Sequence, residues 1–157
     1  MRGLGRAPGV YRKARTPEKG VGVPFIRTLA LYAISLVVFL GIDFVWLASM
    51  SERFYRPKLG KLMAERANLP VALVFYLLYV VGVLVLVVLP ALDKGSLAQA
   101  ILGGALLGAV AYGTYDFTNL ATIQGWPVIV TVVDVVWGTT LTAVIAAVGY
   151  LAGRWLG

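Results

Sequence analysis

Apolar residues fill four long runs separated by short polar breaks. The first, TLALYAISLVVFLGIDFVWLASM, covers about 28–50, and the second, PVALVFYLLYVVGVLVLVVLP, about 70–90, opened by Pro70 and closed by Pro90. A third covers about 97–120, and a fourth about 128–152 with Pro127 at its start. Each is near the roughly 20 residues that a helix needs to cross a bilayer. Helices are the spanning structure to expect, because an open sheet edge cannot be satisfied in lipid. The pattern predicts an all-α integral membrane bundle of four transmembrane helices over residues 25–157. Its topology is up-down-up-down, since the breaks ALDKGS and TIQGWP are short enough to make neighbours antiparallel. The first break, SERFYRPKLGKLMAERAN, is longer and mixes cations with Phe54, Tyr55, Leu59, Leu62 and Met63. That mixture fits an amphipathic segment lying on the membrane surface between helices 1 and 2, or a plain solvated loop.

Residues 1–24, MRGLGRAPGVYRKARTPEKGVGVP, are rich in Gly, Pro, Arg and Lys and have hardly any apolar periodicity. They are expected to form a basic tail, disordered or lying on a surface. The run that follows is too long for the h-region of a cleaved leader, so it is expected to remain as a span.

Composition sharpens the class. Charged residues make up 13% of the chain, against about 25% in soluble domains. Cysteine and histidine are both absent. Disulfides, thiol nucleophiles, Cys/His zinc sites, His-ligated haem and serine triads are thereby excluded, and no metal centre or cofactor is expected. The net charge of +7 does not point to nucleic acid: seven of the fourteen cations lie in the first 27 residues and five more between Arg53 and Arg66. Basic clusters beside hydrophobic spans mark topology and anionic lipid.

Polar residues are not scattered over the spans. In an up-down-up-down bundle, the end of span one, the start of span two, the end of span three and the start of span four share one membrane half. Asp43, Asp116 and Asp134 all fall there, as do Trp46, Tyr76, Tyr79, Tyr112, Tyr115, Asn119, Trp126 and Trp137. Tyr112, Tyr115, Asp116 and Asn119 recur at i, i+3, i+4, i+7, one face of a helix. Gly104 and Gly108 continue that face in a small-xxx-small pattern that lets a neighbouring backbone come close. Thr131, Asp134, Gly138 and Thr142 share a face of span four, and Ser35, Phe39, Asp43 and Trp46 one of span one. An aspartate at mid-helix costs about 2.5–3.5 kcal/mol on insertion scales, so these stripes are expected to converge on the bundle interior. IDFVW and VDVVW share an Asp-x-x-Trp pattern on helices of opposite direction, a short match for an internal duplication.

The set FLGIDFVWLASM, RFYRPKLGKLM, FYLLYVVG, AYGTYDFTNLATIQGWP and DVVWGTTLTA resembles a bacterial family of small multi-pass proteins, domain of unknown function 2177. The resemblance covers nearly everything after Arg27, in order. It implies a class and a place, the bacterial inner (plasma) membrane, and no mechanism. The full count of cations puts the amino terminus in the cytoplasm, although those within about 15 residues of a span are nearly balanced between the two sides.

Several readings of the acids stand side by side. They form a buried hydrogen-bonded network that fixes helix packing; or span three ends near Asp116, which is then interfacial; or they line a polar, acidic pocket in one leaflet that binds or modifies a lipid or other amphipathic molecule. In the last reading Asp116, Asp134 and Asp43 are the catalytic candidates, because crowded acids let a neutral carboxyl and a carboxylate coexist for acid–base work. Arg53 and Arg56 would hold a phosphate head group at the mouth, with Tyr112, Tyr115, Asn119, Tyr76, Tyr79, Trp46 and Trp137 as walls. The expected partner is membrane lipid, with a homo-oligomer or a membrane-complex partner as further options. Two alternatives complete the set: a non-catalytic accessory subunit or assembly factor of a larger membrane complex, and a proton or cation path in an oligomer.

Overall fold

The computed structural model describes residues 25–157; the basic tail expected over 1–24 lies outside the described residues. Four long helices make up the architecture: α1 (Phe25–Leu62), α2 (Leu69–Asp93), α3 (Leu97–Thr122) and α4 (Val128–Trp155). Each is long and apolar enough to cross a membrane, and no strand occurs among the described residues.

Local chemistry fixes the ends. Asn68 caps α2 by accepting from the Val71 N–H at 3.3 Å, with Pro70 in the first turn. Ser96 caps α3 by accepting from the Gln99 N–H at 3.2 Å. Both satisfy a donor that the first turn leaves orphaned. Gly95 and Gly125, with φ of +62° and +81°, make the reversals before α3 and α4, a backbone region that glycine enters without steric cost.

The first break departs from expectation. Residues 51–62 continue α1 as helix instead of leaving it at Met50. Ser51–Tyr55 is a π turn, closed by the Arg56 N–H on the Ser51 carbonyl, and Leu84–Val88 in α2 is a second, closed by Leu89 on Leu84. Each π turn ends two residues before a proline, Pro57 or Pro90. A proline removes an N–H and presses its ring on the carbonyl four residues back. Widening the preceding turn relieves that crowding without breaking the helix.

Contacts run in opposite directions along α3 and α4. A Cβ placed on Gly104 would meet Ala146 and Thr142, one on Gly108 would meet Gly138 and Thr142, and Thr131 reaches the Asp116 carbonyl. The pair is therefore an antiparallel hairpin with its backbones in near contact. Along α1 and α4 the order is also reversed: Arg27 donates to the Gly153 carbonyl, and Trp137 reaches Asp43. The guanidinium thus satisfies a carbonyl in the last turn of α4, where a cation also suits the helix dipole. The core is a cluster around Leu31, Phe39, Val80, Val88, Leu141 and Ile145. Large apolar side chains such as Val37, Leu102, Leu106, Phe117 and Val136 face outward, the exterior that a lipid solvent calls for.

Candidate functional site

Along α1 the side chains at Leu31, Ser35, Phe39 and Asp43 are buried. The same step of four, carried through the π turn, leads to Leu47, Ser51, Tyr55 and Leu59, which face a cavity of about 460 Å³. The other helices close it: Phe75 and Tyr76 from α2, Ala111, Tyr112 and Tyr115 from α3, and Val130, Asp134 and Trp137 from α4. Trp126, in the break before α4, adds one wall and Met63 another. Tyr115, Phe75 and Leu47 of this lining are also exposed on the outside. The volume is typical of small-molecule sites, about 300–1,000 Å³.

Two carboxyl groups look into this space, and each is held by neutral donors. The Tyr76 hydroxyl donates to Asp43 Oδ2 at 2.5 Å, and Trp137 Nε1 donates to Asp43 Oδ1 at 3.2 Å. The Tyr55 hydroxyl donates to Asp134 Oδ1 and in turn accepts from Trp46 Nε1 at 3.0 Å. Trp46 and Trp137 stack face to face, with ring centroids 4.0 Å apart and planes within 9°. The two Asp-x-x-Trp stretches therefore meet: Trp137 of one serves the aspartate of the other directly, and Trp46 does so through Tyr55. Because α1 and α4 are antiparallel, the pair has an approximate local two-fold relation about the indole stack.

Of the residues singled out in the sequence, Asp43, Asp134, Trp46, Trp137, Tyr76, Tyr112 and Tyr115 line the cavity. Asp116 does not. It is fully buried between α3 and α4, and neither carboxylate oxygen has a hydrogen-bond partner among the described residues. Asp134 lies one turn beyond Thr131, the residue of α4 that reaches Asp116. The Asp116 backbone carbonyl receives the Thr131 hydroxyl at 3.5 Å, and Thr131 accepts from Trp126 Nε1 at 3.1 Å. The helix continues past Asp116 to Thr122, so span three does not end at the acid. Tyr79 stands behind the cavity wall, bonded to Thr142 at 2.8 Å and edge-on to Tyr112. Asn119, one turn beyond Tyr115, is outside the lining.

Arg53 and Arg56 are likewise outside the lining. Helical continuation explains it: Ser51, Tyr55 and Leu59 take the inward face, so positions 52, 53 and 56 turn away. Arg56 Nε is engaged by Glu52 at 2.9 Å on the surface. Tyr55 is the cavity-lining residue that sequence reasoning assigned to a loop. Its step of twelve from Asp43 was the available signal, once the helix is carried past Met50. Among the described residues, no three acidic, histidine or cysteine side chains converge to hold a metal ion.

No curated protein and no solved structure matches the chain. A family model does, over residues 28–151, from the first turn of α1 into the last turns of α4 and so across the whole cavity. The chain belongs to this family, described as predicted membrane protein, domain of unknown function 2177.

Proposed function

We propose that this multi-pass protein sits in the bacterial inner membrane, amino terminus in the cytoplasm, and that its cavity binds a membrane lipid or a similar amphipathic molecule. One observation carries the reading: two aspartates and a wall of aromatic rings from all four helices face a space of about 460 Å³. A packing network alone needs no such space, because buried polar groups that only fix helix contacts close on one another. Asp43 and Asp134 meet the ligand; any proton transfer to or from it falls to one of them.

A second reading rests on Asp116. A buried carboxylate with both oxygens unpaired beside a second acid is what a proton path would contain, and such a path would need an oligomer of this small chain. An accessory-subunit role draws on no comparable feature.

Whole-lipid mass spectrometry of wild-type, deletion, Asp134→Asn and Asp116→Asn strains separates these readings without naming a substrate. Lipid binding requires that Asp134→Asn reproduce the lipid change of the deletion at normal expression, while Asp116→Asn stays near wild type. Unchanged lipids in the deletion strain would refute it. A growth defect shared by the deletion and Asp116→Asn, with lipids unaltered, would establish the proton path instead. A stoichiometric protein partner retained in mild detergent, with no lipid, would move the protein to the accessory class.

A further inference from the structure

The charge of the cavity says more about the ligand than its size does. Among the described residues its lining holds two acidic side chains and no lysine or arginine. The ion pair present among the described residues, Arg56 with Glu52, is on the surface, so neither Asp43 nor Asp134 has a cationic partner there. Their hydrogen bonds come from Tyr76, Trp137 and Tyr55. These neutral groups satisfy lone pairs but leave the charge uncompensated. An uncompensated charge in a low-dielectric interior costs several kcal/mol, and a counter-charge that enters with its own partners offsets that cost. An anionic head group meets the opposite: it finds like charge on the walls, with Arg53 off the lining and Arg56 occupied by Glu52.

The rings specify the cation further. The tyrosine hydroxyls of positions 55 and 76 are already committed to the aspartates, so the cavity offers aromatic rings more than free acceptors. Aromatic faces attract a cation through their quadrupole, and a cage of them is the usual receptor for quaternary ammonium groups. Resting on the lipid-binding reading above, we infer that the cavity selects an organic cation, a quaternary ammonium or alkylammonium group carried by the amphipathic ligand. Asp43 and Asp134 supply the counter-charge, and Trp46, Trp137, Tyr112 and Trp126 supply the walls.

Trp46, Trp126 and Trp137 line the cavity, three of the four tryptophans in the chain, so indole fluorescence reports occupancy. The purified full-length chain in neutral maltoside micelles would be titrated with dodecyltrimethylammonium, with dodecyl sulfate of equal chain length, and with free tetramethylammonium. The expected result is saturable binding of the trimethylammonium amphiphile about tenfold or more tighter than the sulfate. That preference should be lost in Asp43→Asn and Asp134→Asn and kept in Asp93→Asn, whose acid is exposed outside the cavity. Trp46→Phe, which leaves the charge unchanged, should weaken the cation several-fold, and gel filtration of each variant keeps misfolding apart from loss of binding. Equal binding of both amphiphiles, indifferent to the two aspartates, would overturn the cation inference and leave an amphiphile site. Saturation by tetramethylammonium with no effect of either amphiphile would uphold the cation and overturn the lipid reading. Tighter sulfate binding, or no saturation by any probe, overturns the inference, and the latter overturns both.

Discussion

Substituting Gly108 by alanine adds one methyl group where α3 and α4 have no room for it. A Cβ there would run into the Gly138 carbonyl oxygen, with Thr142 Oγ1 at 2.7 Å and the Gly138 carbonyl carbon at 2.8 Å, where ordinary contact begins at 3.4 Å. Two of those three atoms are backbone and cannot rotate away. The third is tied to the Gly138 carbonyl at 2.7 Å and to the Tyr79 hydroxyl at 2.8 Å. The helices must therefore separate, and Gly104, whose Cβ would meet the Thr142 carbonyl at 2.7 Å, shares the same seam. Overpacking of this kind costs about 1–3 kcal/mol, from which the gain in helix propensity, at most about 1 kcal/mol, must be subtracted. Gly41 is the control, because nothing stands within 4 Å of its Cβ position. Gly108→Ala should lose about 1–2 kcal/mol net, and Gly41→Ala should be neutral or slightly more stable. Reversible unfolding in mixed micelles, followed by circular dichroism as the anionic detergent fraction rises, measures both. Equal stability of the two variants would refute the close approach of α3 and α4.

Two further outcomes test the site and the topology. Tyr55→Phe removes the donor to Asp134 and the acceptor for Trp46, and should cost about 1–3 kcal/mol in the same unfolding assay, since it leaves buried polar groups unpaired; a neutral result would mean that the α1 extension is not docked on the bundle. Single cysteines at Lys61, Gln124, Lys94 and Gly157, in a chain with no cysteine of its own, should label Lys61 with Gln124 from one side and Lys94 with Gly157 from the other; any other pairing contradicts a four-span protein.

Much of the fold was legible because four apolar runs of bilayer length leave few alternatives. The acids and aromatics were legible as a cluster for the same reason: alternate direction puts the ends of neighbouring spans together. The end of α1 was not. Glu52, Arg53, Pro57 and Gly60 have the composition of a loop, whereas the buried Tyr55, bonded to Asp134, docks that segment on α4. With the helix cut at Met50, Tyr55 was lost from the site and Arg53 and Arg56 were placed at its mouth. Asp116 shows a subtler limit. Successive residues turn by about 100°, so Tyr115 and Asp116 lie on opposite flanks of the stripe that Tyr112 centres. A single polar face in the sequence divides into a cavity flank and a flank buried against α4. Spacing alone cannot tell which neighbour each flank will meet.

The hydrogen bonds to Asp43 also set a schedule for biogenesis. Its donors, Tyr76 and Trp137, come 33 and 94 residues later in the chain. At about 5–20 residues per second of synthesis, the second donor follows Asp43 on the order of ten seconds later. During that interval the acid enters the membrane without the partners it will keep. The first helix must therefore be hydrophobic enough to insert alone, and its composition meets that demand. An aspartate near mid-helix costs about 2.5–3.5 kcal/mol, while each central Leu, Ile, Phe or Val returns about 0.3–0.6 kcal/mol, and LALYAISLVVFLGIDFVWL holds a dozen of them. The surplus of apolar residues around Asp43 is thus a requirement of the nascent chain, set before the bundle exists to reward it.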